Sequence, residues 1–162
     1  MKKSIVILAL VILSFAVAQN AMAQTAVQTL SLAVNTVQKI AVSGNPAAMT
    51  ITDGTAGTDA LTSVTNSATT YSMTQNSATP AKITAGLDVA LGSGYSLTIE
   101  LASTKGTSAL AVDIAGGTTK DVVTAMAKGA DAGQTITYVF GATATAGVLT
   151  TTTEHVTLTL TN

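Results

Sequence analysis

The chain has 162 residues, 47% of them hydrophobic and only 9% charged, with seven Lys, no Arg, eight acids, one His and no Cys. So little positive charge, with no basic patch, excludes phosphate and nucleic-acid recognition as a working hypothesis. Without thiols there is no thiolate metal site and no cysteine redox chemistry, and the length suits one folded domain behind a leader.

The leader comes first. Lys2 and Lys3 precede an apolar run from Ile5 to Val17, and Ala21-Met22-Ala23 supplies a small-x-small cleavage site. That order is the anatomy of a secretory signal peptide, cut before Gln24. The apolar run is short for a membrane span, and no stop-transfer segment follows it. Gln24 rather than Cys follows the cut, so a bacterial lipid anchor is not available. The sequence therefore predicts a cleaved signal peptide over 1–23 and a single exported domain over 24–162. The expected location is the bacterial cell surface or beyond, with no membrane association after cleavage.

Thr25 to Val34 reads as the first strand. Ala26, Gln28, Leu30, Leu32 and Val34 share one face, while Thr29, Ser31 and Ala33 occupy the other. This is the period-2 pattern of a half-buried strand. Asn35-Thr36 breaks it, and Val37, Ile40 and Val42 form a second short piece before the Ser43-Gly44-Asn45-Pro46 turn. Met49 and Ile51 alternate with Thr50 and Thr52 as a short strand. A polar loop follows from Asp53-Gly54 to about Thr70, pinned by Leu61 and Val64.

Tyr71 and Met73 mark the next strand, then Ile83, Ala85 and Leu87. Leu97, Ile99 and Leu101, alternating with Ser96, Thr98 and Glu100, give the cleanest internal strand. Leu110, Val112 and Ile114 suggest another. Asp121 to Lys128 fits either a helix or a strand, and the surrounding β pattern favours the strand. Gly129 to Gly133 reads as a loop. Ile136, Tyr138 and Phe140 then face inward, and Val156, Leu158 and Leu160 alternate with Thr157, Thr159 and Thr161 in a final strand. Eight or nine short strands at even spacing argue an all-β fold, an antiparallel Ig-like β-sandwich.

Chemistry-bearing constellations are scarce. His155 is the sole histidine and opens the last strand, where a catalytic triad has no visible partners. No nucleophile elbow, phosphate loop or dinucleotide fingerprint occurs. Asp53 and Asp59 share a loop, but their spacing is not that of a calcium-binding EF-hand. The sequence thus predicts no enzyme, no cofactor and no metal site. Tyr95, beside a Gly-rich turn, is the one candidate surface aromatic for stacking on a sugar.

The two ends remain. Each carries an alternating strand able to form a sheet edge, which is a liability unless it is paired or covered. Two outcomes stay open: the first strand pairs within its own domain, or it completes the sheet of another subunit. Head-to-tail donation does not close on itself and yields filaments.

At these ends the chain resembles the major pilins of chaperone–usher fimbriae, especially the cysteine-free class typified by enterobacterial colonisation-factor pilins. The resemblance rests on Leu30, Leu32 and Val34, on the step Val34-x-x-Val37-x-x-Ile40, on Gly44-Asn45-Pro46, and on the closing Val156-Thr157-Leu158-Thr159-Leu160-Thr161-Asn162. Small exported Thr-rich coat-like proteins of other bacteria share that ending.

The resemblance implies a donor strand within 24–35, with Ala26, Gln28, Leu30, Leu32 and Val34 as the inserted positions. It implies a hinge at Asn35 and Thr36, and a C-terminal strand carrying Val156, Leu158 and Leu160. The implied partners are identical subunits, together with a periplasmic chaperone and an outer-membrane usher. Gln28 departs from an all-apolar donor. The alternative from another class is a monomeric surface adhesin or carbohydrate-binding module.

Overall fold

The structure, a computed structural model, describes residues 24–162. The expected signal peptide at 1–23 lies outside the described residues. The chain divides between Val34 and Asn35.

All strands among the described residues belong to the Asn35–Asn162 unit. They are β1 (Gln38–Val42), β2 (Val64–Gln75), β3 (Ala81–Leu87), β4 (Tyr95–Leu101), β5 (Thr107–Ser108), β6 (Val112–Asp113), β7 (Lys120–Met126), β8 (Gly129–Ala142) and β9 (Val156–Thr161). Among the described residues a single 3-10 turn spans Ala144–Ala146. Every strand pairing is antiparallel. The strands form a five-stranded sheet in the order β1-β2-β8-β4-β6 and a four-stranded sheet in the order β5-β7-β3-β9. The protein is therefore all-β, with two antiparallel sheets in a sandwich-like arrangement.

Strand period explains which side chains meet. Successive residues of a strand point to opposite faces. On β4 this sends Ile99 and Leu101 inward, and on β8 it sends Ile136 and Tyr138 inward beside them. Ile83 and Ala85 of β3, with Val122, Val123 and Met126 of β7, supply the opposing layer. The Ile, Leu, Val and Met side chains among them are fully buried, and each contributes about 1.5–3 kcal/mol from leaving water. The outward positions are mostly Thr and Ser, whose β-branched or small polar side chains suit a solvated sheet face.

β8 is the hub, flanked by β2 along one edge and β4 along the other. Two irregularities interrupt the β2–β8 ladder, one between Asn66 and Thr69 and one between Tyr71 and Met73. At the second, Gly133 takes φ +63°, a left-handed conformation that glycine adopts without a steric cost.

Several sequence expectations are corrected. The strand expected over Thr25–Val34 is absent: residues 24–37 belong to no strand. A period-2 pattern selects a strand only where a neighbouring backbone takes up its hydrogen bonds. Met49 and Ile51 lie half-buried in a loop and not in a strand. The polar stretch from Val64 to Thr70 is part of β2 rather than loop, since β8 pairs with it from Val64 onward. Gly129 to Gly133 belongs to β8. Leu110 to Ile114 is not one strand: Leu110 is 78% exposed, Ala111 turns at φ +46°, and only the two-residue β6 follows. The ambiguous 121–128 segment is β-strand as far as Met126, as β7.

Two buried polar side chains lock one pole of the sandwich. Gln75 ends β2, and its Nε2 donates to the Met126 carbonyl at the end of β7 (3.0 Å), which ties one sheet to the other. Its Oε1 accepts from the Ser77 backbone N–H. Asp131, on the inward face of β8, is 2% exposed. Its carboxylate accepts from the Ser103 hydroxyl (2.9 Å), the Thr104 N–H (2.9 Å) and the Thr104 hydroxyl (2.8 Å). These bonds fasten the loop that carries the chain from β4 to β5 and so from one sheet to the other. Burial by itself raises the Asp131 pKa. The hydrogen bonds from Thr104 and Ser103 outweigh it and hold the carboxyl below its usual value.

A carboxylate whose folded pKa is depressed stabilises the fold above its unfolded pKa, and that stability is lost as pH falls through the folded one. Thermal unfolding of the wild type should therefore show a stability loss that begins below about pH 4. Asp131→Asn should cost about 1–3 kcal/mol at neutral pH and flatten that acid limb. An unchanged acid limb in the variant would show that other groups control it.

Candidate functional site

Four strands end the two sheets, and they differ in how their edges are protected. β5 and β6 contain two residues each. β1 has five and carries Lys39. β9 has six, reads VTLTLT, and pairs with β3 over all six positions without a bulge. Short length, charge and bulges are the usual devices that keep an edge from recruiting another strand. β9 has none of them, and no strand lies on its far side among the described residues.

The inward side chains of β9 are correspondingly incomplete in their cover. Val156, Leu158 and Leu160 pack against the core but stay half-buried. Ile40 of β1, on the facing sheet, is also only partly buried against the core. Val156, Leu158, Leu160 and Ile40 are thus aliphatic residues that neither sheet covers fully. Thr69, on the inward face of β2, is 5% exposed, and its hydroxyl has no hydrogen-bond partner among the described residues. The sequence reading missed Thr69, because nothing in a run of Thr and Ser marks which hydroxyl will be buried.

Polar clamps fix β9 at both ends. Before it, the Asp88 carboxylate accepts from the His155 N–H (2.8 Å), and the Asp88 N–H donates to the His155 carbonyl (3.0 Å). The hydrogen bond from His155 is the main reason that the Asp88 carboxyl lies below its ordinary pKa. At the other end, Asn162 Nδ2 donates to the Ser77 hydroxyl, and Gln38 Nε2 donates to Asn162 Oδ1. His155 is exposed and has no catalytic neighbours in these contacts.

The chain enters the sandwich at the pole where β9 ends. Asn76 holds the entry: its Oδ1 accepts from the Val37 N–H (2.7 Å), and its Nδ2 donates to the Asn35 carbonyl (2.9 Å). Asn35 and Thr36, expected as a hinge, therefore sit at the anchoring point. Before them, residues 24–34 are exposed throughout. Leu30, Leu32 and Val34 are 77%, 84% and 87% exposed, and Val27 is 91% exposed. Ala26 and Gln28 are exposed with them.

Tyr95, the candidate sugar platform, is half-buried. Its ring stacks on Phe140 at 6.5 Å between centroids, and its hydroxyl donates to the Ala146 and Gly147 carbonyls. The ring thus braces the 3-10 turn. A shallow depression of about 410 Å³ beside it is lined by Leu61, Gly94, Gly141 and Thr143 among others. Asp59 is also committed: its carboxylate accepts from the N–H and hydroxyl of Thr145. Asp53 accepts from the Gly54 N–H in a tight turn.

If Asp88 positions the start of β9, Asp88→Ala should speed amide hydrogen exchange at residues 155–158 and leave exchange in β4 and β8 unchanged. Unaltered exchange over 155–158 would show that β3 pairing alone holds the strand. No protein-family model, curated protein or solved structure matches this chain.

Proposed function

We propose that the protein is a structural subunit of a bacterial extracellular filament. On this reading, residues 25–34 of one subunit insert beside β9 of the next and extend its four-stranded sheet. The observation that carries the proposal is a pairing of deficits within one sequence. The sandwich has one unprotected edge whose inward Val156, Leu158 and Leu160 lack full cover. The same chain carries an exposed segment with apolar residues at every second position from Leu30 to Val34. We take the completed domain to be Ig-like.

The magnitudes suit a long-lived contact. Burying Leu30, Leu32 and Val34 contributes about 1.5–3 kcal/mol each. Each added ladder hydrogen bond contributes a net ~1 kcal/mol. A ten-residue extended segment reaches about 33 Å, and a six-residue strand such as β9 runs about 20 Å, so the donor can cover the whole edge. The Asn76 clamp on Asn35 and Val37 supports a fixed point from which the preceding donor segment would start.

The low charge and Thr-rich outer faces favour side-by-side packing without electrostatic repulsion. The proposal includes export through the signal peptide and display at the cell surface. A periplasmic chaperone would cover β9 before an outer-membrane usher hands the subunit on. The mechanism is non-covalent and uses no cofactor.

Deletion of residues 25–34 should abolish filaments seen by electron microscopy and leave a soluble monomer. Leu160→Glu in the full chain should do the same from the acceptor side, since it places a charge in the groove. Filaments formed by the deletion variant would sink the proposal.

A further inference from the structure

We infer that Asp53-Gly54 is a modification site at which the chain isomerises its own backbone to isoaspartate. The folded loop presents this pair for reaction, whereas it holds the similar Asp88 against it. The inference is independent of the filament reading. Asp53-Gly54 is the sole Asp-Gly pair in the sequence, and no Asn-Gly pair occurs. Both residues are exposed. With Ile51, Thr55 and Leu61 they line an open depression of about 540 Å³, so water reaches the carboxyl group.

The local geometry favours the reaction. The Gly54 N–H donates to Asp53 Oδ1 at 2.8 Å, and this is its only hydrogen bond among the described residues. The carboxyl group is thus folded back onto the nitrogen that attacks it, which is what a near-attack contact needs. Residue 54 has no side chain to hinder the approach. The fold also accounts for the glycine, because a Cβ at position 54 would stand 2.9 Å from Leu61 Cδ2. Backbone bonds hold the loop in this state. The Asp53 carbonyl accepts from the Thr62 N–H (2.9 Å), and the Leu61 N–H donates to the Ala142 carbonyl at the end of β8 (3.0 Å).

Asp88 provides the comparison within the same chain. Its Oδ1 likewise accepts from the next N–H, that of Val89 (3.0 Å). Two differences oppose reaction there. Val89 is β-branched and crowds its own nitrogen. The same Oδ1 also accepts from the His155 N–H (2.8 Å), which restrains the carboxylate. Asp59 and Asp131 bond Thr145 and Thr104, Asp121 pairs with Lys82, and Asp113 accepts from the Ala115 N–H, so none of these four is turned onto the nitrogen that follows it.

The reaction needs only water. The Gly54 nitrogen bonds to Asp53 Cγ and loses its proton. One Cγ–O bond breaks, and that oxygen leaves as water with the Gly54 proton and one proton from solvent. The product is a five-membered cyclic imide. Water then adds at either imide carbonyl, a C–N bond breaks, and the solvent proton is returned. Attack at Cγ restores aspartate. Attack at the main-chain carbonyl leaves the chain linked through Cγ, with one more main-chain carbon and a free carboxylate where the Asp53 peptide carbonyl was. That change removes the acceptor of the Thr62 N–H and loosens the loop.

The test incubates the full-length folded protein for weeks at neutral pH and physiological temperature, beside the same protein held in denaturant. Peptide mapping with electron-transfer fragmentation reads isoaspartate at each Asp. In the folded protein, isoaspartate should accumulate at 53 at least as fast as in denaturant, and about tenfold or more faster than at 88. Asp53→Glu lengthens the side chain past five-membered closure and should show no isomerisation at 53. Val89→Gly removes the steric block at Asp88 but keeps the His155 bond. This variant should isomerise at 88 in denaturant and stay slow there when folded. Amide exchange at Thr62 should quicken in the aged wild type and not in aged Asp53→Glu. Isoaspartate at 53 that forms tenfold more slowly in the folded protein than in denaturant would overturn the inference, as would folded Val89→Gly reacting at 88 as fast as at 53.

Discussion

The four-stranded sheet ends on β9, and β9 is held by backbone pairing on one side only. Everything on that flank follows from this constraint. β3 supplies the ladder, Asp88 clamps the start, and Asn162 clamps the end to Ser77 and Gln38. These contacts fix the strand's position without covering its outer edge. The inward Val156, Leu158 and Leu160 consequently remain half-buried, although they sit over the same core that fully encloses Ile83 and Ala85 one strand away. The difference between complete and partial burial is set by the missing neighbour and not by residue type.

A core dominated by Ile, Val, Ala and Met around Tyr71 and Tyr138 leaves to other contacts part of the distinction between one packing and another. Buried polar bonds supply that distinction here. Gln75 joins β2 to the end of β7, and Asp131 captures the loop between β4 and β5. Tyr71 adds a third link, its hydroxyl donating to the Ala102 carbonyl at the same crossing. Each of these groups has hydrogen-bond partners, so each specifies an alignment of the sheets without leaving a polar atom stranded. Thr69 is the exception on the inward face of β2. It sits between β8 and the segment that follows β1, where Ser43 bonds Thr70.

How much of this the sequence discloses depends on whether a strand carries its own period. Residues 96–101, 136–140 and 156–161 alternate cleanly, and they are β4, the central part of β8, and β9. Leu30, Leu32 and Val34 alternate as cleanly, yet form no strand, because periodicity describes what a segment could cover and not what is present to be covered. The beginning of β2 fails in the opposite sense. Val64 to Thr70 has almost no apolar alternation, and it is a strand only because β8 pairs with its backbone. Asp131 was hidden for a related reason: a Gly-Ala-Asp-Ala-Gly run looks like a loop until the bulge at Gly133 places it inside β8. Leu110 misled because a third aliphatic extended the pattern of Val112 and Ile114, whereas the backbone turns at Ala111 between them. Of the candidate site, the β9 residues were readable from their own spacing. The uncovered flank and the unpaired Thr69 depend on sheet order, which no local pattern encodes.

The composition of β9 bears on why that edge is bare. Thr gives high strand propensity without charge, and Leu and Val fill the inward positions. A sequence under pressure only to stay monomeric has inexpensive alternatives at the exposed Thr157 and Thr159, such as the Lys found at position 39 of β1. The other three edges use short length or charge, so the chain has the means to blunt an edge and β9 does not use them. An edge kept regular, uncharged and clamped at both ends is already extended, so under the proposed strand addition little ordering cost would fall on it. The segment before Asn35 would bear the entropy of ordering instead, which is the division of roles that the proposal requires.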